Sequence, residues 1–158
     1  MTGRAGKTVG LAARAARQLA PVVLAGTVLP AAPAAGQVLP NPVLYQVGQE
    51  YYSAGGKAFV RYRYDILNKT DYPAELFAAA PALPPCGANT NSSRTWVDFY
   101  DASGHRLYGF CALGKPQDLG SLWFAVEQGV VPPSWVYIEM IDRQTNTRYK
   151  SNLAETAP

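Results

Sequence analysis

Between residues 58 and 67, Val60, Tyr62, Tyr64 and Ile66 occupy every second position, with Arg61, Arg63 and Asp65 between them. A helix would scatter such a set around its axis. An extended strand puts one set on a dry face and the other on a wet face. The same alternation returns in the run 95–113. There Val97 and Phe99 alternate with Trp96, Asp98 and Tyr100, and Asp101, Ala102, Ser103 and Gly104 supply turn chemistry before a second run, 106–113. This predicts a β-hairpin with a four-residue loop. Further strands are predicted at 43–52, interrupted at Gly48, and at 122–126, 135–142 and 147–151. Seven short strands with almost no helical periodicity predict an all-β chain. Its expected form is a seven-stranded antiparallel β-sandwich, with a small β-barrel as the alternative closure. In the strand 135–142, Val136, Ile138 and Met140 fall on one face and Trp135, Tyr137, Glu139 and Ile141 on the other. Either face is apolar enough to be core.

The segment 72–94 does not fit the pattern. Pro73, Pro81, Pro84 and Pro85 break it, and 74–80 reads as a short helix or a short strand. A long irregular connection inside a small domain is functional, disordered or pinned. Cys86 lies in it, which favours pinning. The tail, 152–158, is expected to fray.

The first 35 residues read as a cleaved secretory signal peptide, leaving one domain at 36–158. Arg4, Lys7, Arg14 and Arg17 precede an apolar run at 19–29, and small residues at 32–36 offer cleavage positions. The run is shorter than a membrane span and is broken by Pro21 and Pro30, so no span is expected after the signal is removed. The whole chain carries 14 basic and 11 acidic residues, but all four leader charges are basic, so the domain itself has a net charge of −1. That excludes a nucleic-acid reading built on the basic pI, because phosphate binding needs clustered positive charge on the folded part. The alanine-rich leader is of a bacterial kind, and the protein is expected to be secreted or periplasmic.

An oxidising compartment makes pairing the default for Cys86 and Cys111, the two cysteines of the chain. The bridge would tie the irregular segment to the hairpin and contribute about 3 kcal/mol by loop-closure entropy. Two separated cysteines and one histidine lack zinc spacing, and no metal or cofactor is expected. His105 reads as a solvent-facing turn residue. There is no nucleophile elbow and no convergent carboxylate pair, so the chain is not expected to be an enzyme. The sequons at Asn68 and Asn91 are assigned no sugar.

Val131, Pro133 and Tyr137 have the spacing of the corner before the sixth strand of fibronectin type III domains, which this stretch resembles. The resemblance covers seven residues. It implies an immunoglobulin-like sandwich, a Tyr137 hydroxyl bonded back to the corner backbone, and a recognition role at most. Glu139 departs from the family, which keeps an apolar residue two positions after the tyrosine.

The aromatic residues carry the functional expectation. Trp96 and Tyr100 share one face of the predicted hairpin, and Tyr108 and Phe110 share a face too. Planar rings on a sheet stack on sugars or anchor proteins. With Asn89 and Arg94 they form the candidate binding set of an exported, non-catalytic module that recognises a protein or glycan of the cell envelope through an aromatic sheet face and the loop 86–94. The alternative is an inhibitor of secreted hydrolases, presenting 83–87 as a loop preorganised by prolines and a bridge.

Overall fold

Eight strands form among residues 38–157, the part of the chain that the computed structural model describes; the expected leader lies outside it. They are β1 (Leu44–Ala54), β2 (Lys57–Ile66), β3 (Thr95–Asp101), β4 (Arg106–Phe110), β5 (Leu122–Glu127), β6 (Trp135–Asp142), β7 (Thr147–Lys150) and β8 (Ala154–Glu155). Every pairing is antiparallel. One sheet has the order β1-β2-β5. The other has the order β4-β3-β6-β7, with β8 also pairing β6. Neither sheet closes on itself, so the barrel alternative is not the architecture.

Local chemistry sets these elements. Gly55 and Gly56 join β1 to β2 with φ of 57° and 76°, the left-handed pair that a two-residue hairpin turn requires. The alternation of β2 buries Val60, Tyr62, Tyr64 and Ile66. Leu122 and Phe124 of β5 join them, and Val97, Phe99, Val136, Ile138 and Met140 of the other sheet belong to the same core. At its centre Tyr64 and Phe99 lie 5.3 Å apart, with Phe124 5.9 Å from each. Leu76 and Phe77, in a single 3-10 turn at Ala74–Phe77, add to the core from the irregular connection. That turn answers the helix-or-strand question at 74–80: the proline at 73 and the bridge from Ala79 to Ser93 leave room for neither element in full.

Three expectations are corrected. The hairpin strand expected at 106–113 stops at Phe110, because the Cys111 carbonyl turns to accept from the Ser93 amide (2.7 Å). Val136, Ile138 and Met140 take the inward face of β6, so Tyr137 points outward. It is only 8 % exposed, and among the described residues its hydroxyl makes no hydrogen bond to the corner backbone. The tail does not fray. β8 pairs Trp135 and Val136, and the Thr156 hydroxyl meets the buried Tyr64 hydroxyl at 2.8 Å. Burial pushes the Tyr64 hydroxyl up to about 12, so it stays neutral.

Side-chain amides fasten this tail to β1. Asn152 accepts from the Leu44 amide (2.8 Å) and donates to the Leu44 carbonyl (3.0 Å), as a neighbouring strand would. Gln46 accepts from the Ala157 amide (2.6 Å) and donates to the Ala157 carbonyl (3.2 Å). Replacing Asn152 by Ala removes two such bonds. Urea denaturation is expected to show a loss of about 1–2 kcal/mol, with no comparable loss in the exposed neighbour variant Leu153→Ala.

Candidate functional site

The outward face of the second sheet carries Trp96, Asp98 and Tyr100 of β3 beside Ile141, Glu139 and Tyr137 of β6, with Arg148 and Lys150 of β7 in register beyond them. Asp98 and Glu139 stand directly opposite each other, a like-charge pair that costs stability on a sheet. Arg106 approaches Asp98 at 2.8 Å and Arg148 approaches Glu139 at 2.9 Å, which offsets the repulsion. Arg106 lies across Gly109, where any Cβ would collide with it. The Tyr100 and Tyr137 rings stack at 5.3 Å, and Lys150 Nζ sits 4.0 Å over Tyr137. Desolvation, with Asp98 and Glu139 nearby, raises the Tyr100 hydroxyl. Trp135, 46 % exposed, lies at the end of the same strand.

The irregular connection meets this face through two arginines. Arg94 grips the buried Asp142 with both Nε (2.7 Å) and Nη2 (2.5 Å). Burial alone would raise the Asp142 carboxyl. Hydrogen bonds from Arg94, Thr145 and the Gln144 amide outweigh it and hold the group down at about 2. Arg143, next in the chain, has its guanidinium over Trp96, 3.8 Å from the ring centroid. Its guanidinium also donates to the Pro84 carbonyl and, at 3.3 Å, to the Ser92 hydroxyl. Cys86 and Cys111 are bonded, with Cα atoms 6.1 Å apart. The loop is therefore held at the bridge, at Arg143 and at the Ser93–Cys111 contact.

The expected site residues divide accordingly. Trp96 and Tyr100 share the outward face, and Arg143 joins that face to the loop holding Asn89. Arg94 is a strut, half-buried and committed to Asp142. Tyr108 and Phe110 belong elsewhere. Their register partners are Phe99 and Val97, so they point to the core side, where Phe110 packs edge-on against Phe99 (6.4 Å) and Tyr108 lies 4.4 Å from Trp123. Phe110 is half-buried against the core and Tyr108 stays 38 % exposed at the sheet edge, so the pair lies on the core side of the hairpin rather than on its outward face. Trp123 in turn carries Arg61 (4.4 Å), which also covers Tyr52 (4.6 Å). Leu83 is half-buried and lines an open cleft of about 380 Å³ with Glu75, Arg94 and Gln144. The sequence reading missed Arg143 and Lys150. Their signal is the outward-facing register of β6 and β7, which exists only once the strands are paired.

His105 is exposed in the hairpin loop, where Asp101 and Ser103 both bind the same ring nitrogen, Nδ1, at 3.2 and 2.9 Å. A relay needs the acid on one nitrogen and the nucleophile on the other. Here the Ser103 hydroxyl and the Ser103 and His105 amides converge on Asp101 as a turn lock, holding its carboxyl down at about 2. No group of three or more potential metal ligands occurs among the described residues. No protein family, curated protein or solved structure matches this chain.

The Asp142 carboxyl is lower in the folded chain than in the unfolded one. Its contribution is present above about pH 4 and lost as pH falls toward 2. Stability measured by denaturant is expected to drop over that window by about 2 kcal/mol from this group. The variant Arg94→Met strands the buried carboxylate. It is expected to cost about 3 kcal/mol at neutral pH and to flatten that acid limb.

Proposed function

We propose that this chain is an exported, non-catalytic binding module of the cell envelope. Its recognition surface is the outward face of the second sheet, continued by the loop 86–94. The observation that carries the reading is Arg143. One guanidinium covers Trp96 on the face and holds Pro84 and Ser92 of the loop, so sheet and loop form one fixed surface. A surface held in one geometry before binding loses less entropy on association. A protein partner is favoured over a glycan, because Trp96 and Tyr137 each already hold a cation on a ring face that a sugar would need. The turn lock around His105 supports a non-catalytic role.

The domain is proposed to be an immunoglobulin-like or fibronectin III-like sandwich. Lettering the strands in chain order gives A-B-E over C′-C-F-G, with β4 in the C′ position, and that arrangement supports the reading. The Cys86–Cys111 bridge is of the kind an oxidising compartment sustains, which supports export. The inhibitor alternative is less favoured. The Pro84 carbonyl at the centre of its loop is already taken by Arg143, and Leu83 is half-buried, so little of the segment is free to enter a protease.

A pull-down from a native envelope fraction tests the reading, with the disulfide of the bait intact. The double variant Tyr100→Ala/Lys150→Ala is expected to lose the partner that the wild type and Leu83→Ala retain. A drop in recovery of at least about tenfold corresponds to one or two hot-spot contacts. A hydrolase lost only with Leu83→Ala would select the inhibitor, and a partner indifferent to both variants would remove the surface from consideration.

A further inference from the structure

We propose that the outer edge of β1 is a strand-addition site for an extended segment of a partner protein. The site goes beyond the recognition face above and lies on the other sheet. β1 is 11 residues long and ends the order β1-β2-β5, so one side of it has no strand neighbour among the described residues. The amide and carbonyl of Leu44 point to that side, because Asn152 binds them both. In an antiparallel ladder alternate residues face away from the partner strand. Leu44 and Gln46 lie opposite Ile66 and Tyr64. The same series on β2 continues through Tyr62, Val60 and Ala58, opposite Gln49, Tyr51 and Ser53 past the irregularity at Gln46/Gly48. These three residues therefore turn their amides and carbonyls to the open side.

The chain itself indicates what this edge accepts. Its own tail runs beside β1 from Asn152 at Leu44 to Ala157 at Gln46, held by peptide-like amide groups. The open stretch continues that contact in the same direction. Only an extended backbone offers alternating donors and acceptors at this spacing, which makes the occupant a polypeptide and the mode strand addition. An open cleft of about 630 Å³ lies between β1 and the tail, lined by Tyr45, Val47 and Leu153. It gives the incoming strand a place for one apolar side chain. Tyr51, 68 % exposed, extends the apolar border. Native edges are commonly guarded by lysine or proline. Residues 44–54 carry neither; the irregularity at Gln46/Gly48, a guard of another kind, lies before the open stretch, and their one charge, Glu50, is already paired with Arg61 at 2.5 Å.

The probe is a blocked synthetic peptide of alternating valine and threonine between terminal lysines, about eight residues long like an ordinary strand. It is compared with the same peptide carrying proline at alternate positions. Amide hydrogen exchange on the disulfide-intact protein is expected to slow at Gln49, Tyr51 and Ser53 by at least about tenfold with the first peptide and not with the second. Tyr51→Pro removes an outward donor without breaking the β1–β2 ladder and is expected to abolish the slowing, while Tyr51→Thr keeps it. Ser53→Pro, nearer the turn, serves the same purpose if Tyr51→Pro does not fold. Slowing that survives the proline variant, that appears only on the second sheet, or that is absent at about 1 mM peptide overturns the proposal.

Discussion

The buried Arg94–Asp142 pair decides where the long connection between β2 and β3 lies. The segment has little regular structure of its own, and its apolar contribution is concentrated in Tyr72, Leu76 and Phe77 at its start. Its far end is fixed by charge. Asp142 closes β6 on the inward side, Arg94 immediately precedes β3, and two hydrogen bonds lock the strand ends together. A buried pair of this kind is weak evidence for net stability, since desolvation consumes much of the attraction. Its value here is register. With Asp142 held, Arg143 leaves the strand over Trp96, and the loop that Arg143 grips is carried into line with the sheet face.

Cations laid on aromatic rings recur on both outer faces. Arg143 covers Trp96 and Lys150 covers Tyr137 on one sheet, and Arg61 lies between Tyr52 and Trp123 on the other. In each case it is the charged head that lies over the ring, where the negative face of the aromatic system attracts it and where it covers ring carbon that would otherwise meet water. A domain of this size cannot bury so many aromatic residues in one core. Covering them in place lets the outer faces keep rigid rings without large apolar patches. It also explains why the face is proposed as a protein surface: its rings are presented by their edges and borders, with a cation already in place.

How much of this was legible depended on whether a residue's partner was local in pattern. The faces of β2 could be read because charges alternate with apolar residues, and the inward set is the one the alternation predicts. β6 could not be resolved, because both of its faces are apolar for different reasons. Val136, Ile138 and Met140 fill the core, whereas Tyr137 and Ile141 face out under Tyr100, Lys150 and their neighbours. Trp96 and Tyr100 were legible as a pair, being two strand positions of one parity. Tyr108 and Phe110 were equally legible as a pair and yet lie on the core side, since their destination depends on the bulge that shifts β4 between Phe99 and Tyr100. Arg143 looked like an ordinary turn residue, and its target lies 47 positions earlier in the chain. β8 is two residues long, too short to leave a pattern, and it is held by pairing with the start of β6, with side-chain amide contacts at Asn152 and Ala157 on either side of it.

The two open seams of a two-sheet domain are closed by different physics, and the difference matters for association. On one side the edge strands β4 and β5 meet through Tyr108, Phe110 and Trp123, large rings that pack on one another across the seam. On the other side β1 faces the tail across a gap bridged by the amides of Gln46 and Asn152. An amide bridge is directional and specific but small. It satisfies the backbone where it touches and leaves the rest of the strand unmet. Ring packing hides an edge, while amide bridging imitates a neighbour for part of its length. Past Gln46 and the irregularity that follows it, the outward amides and carbonyls of Gln49, Tyr51 and Ser53 have no such neighbour among the described residues.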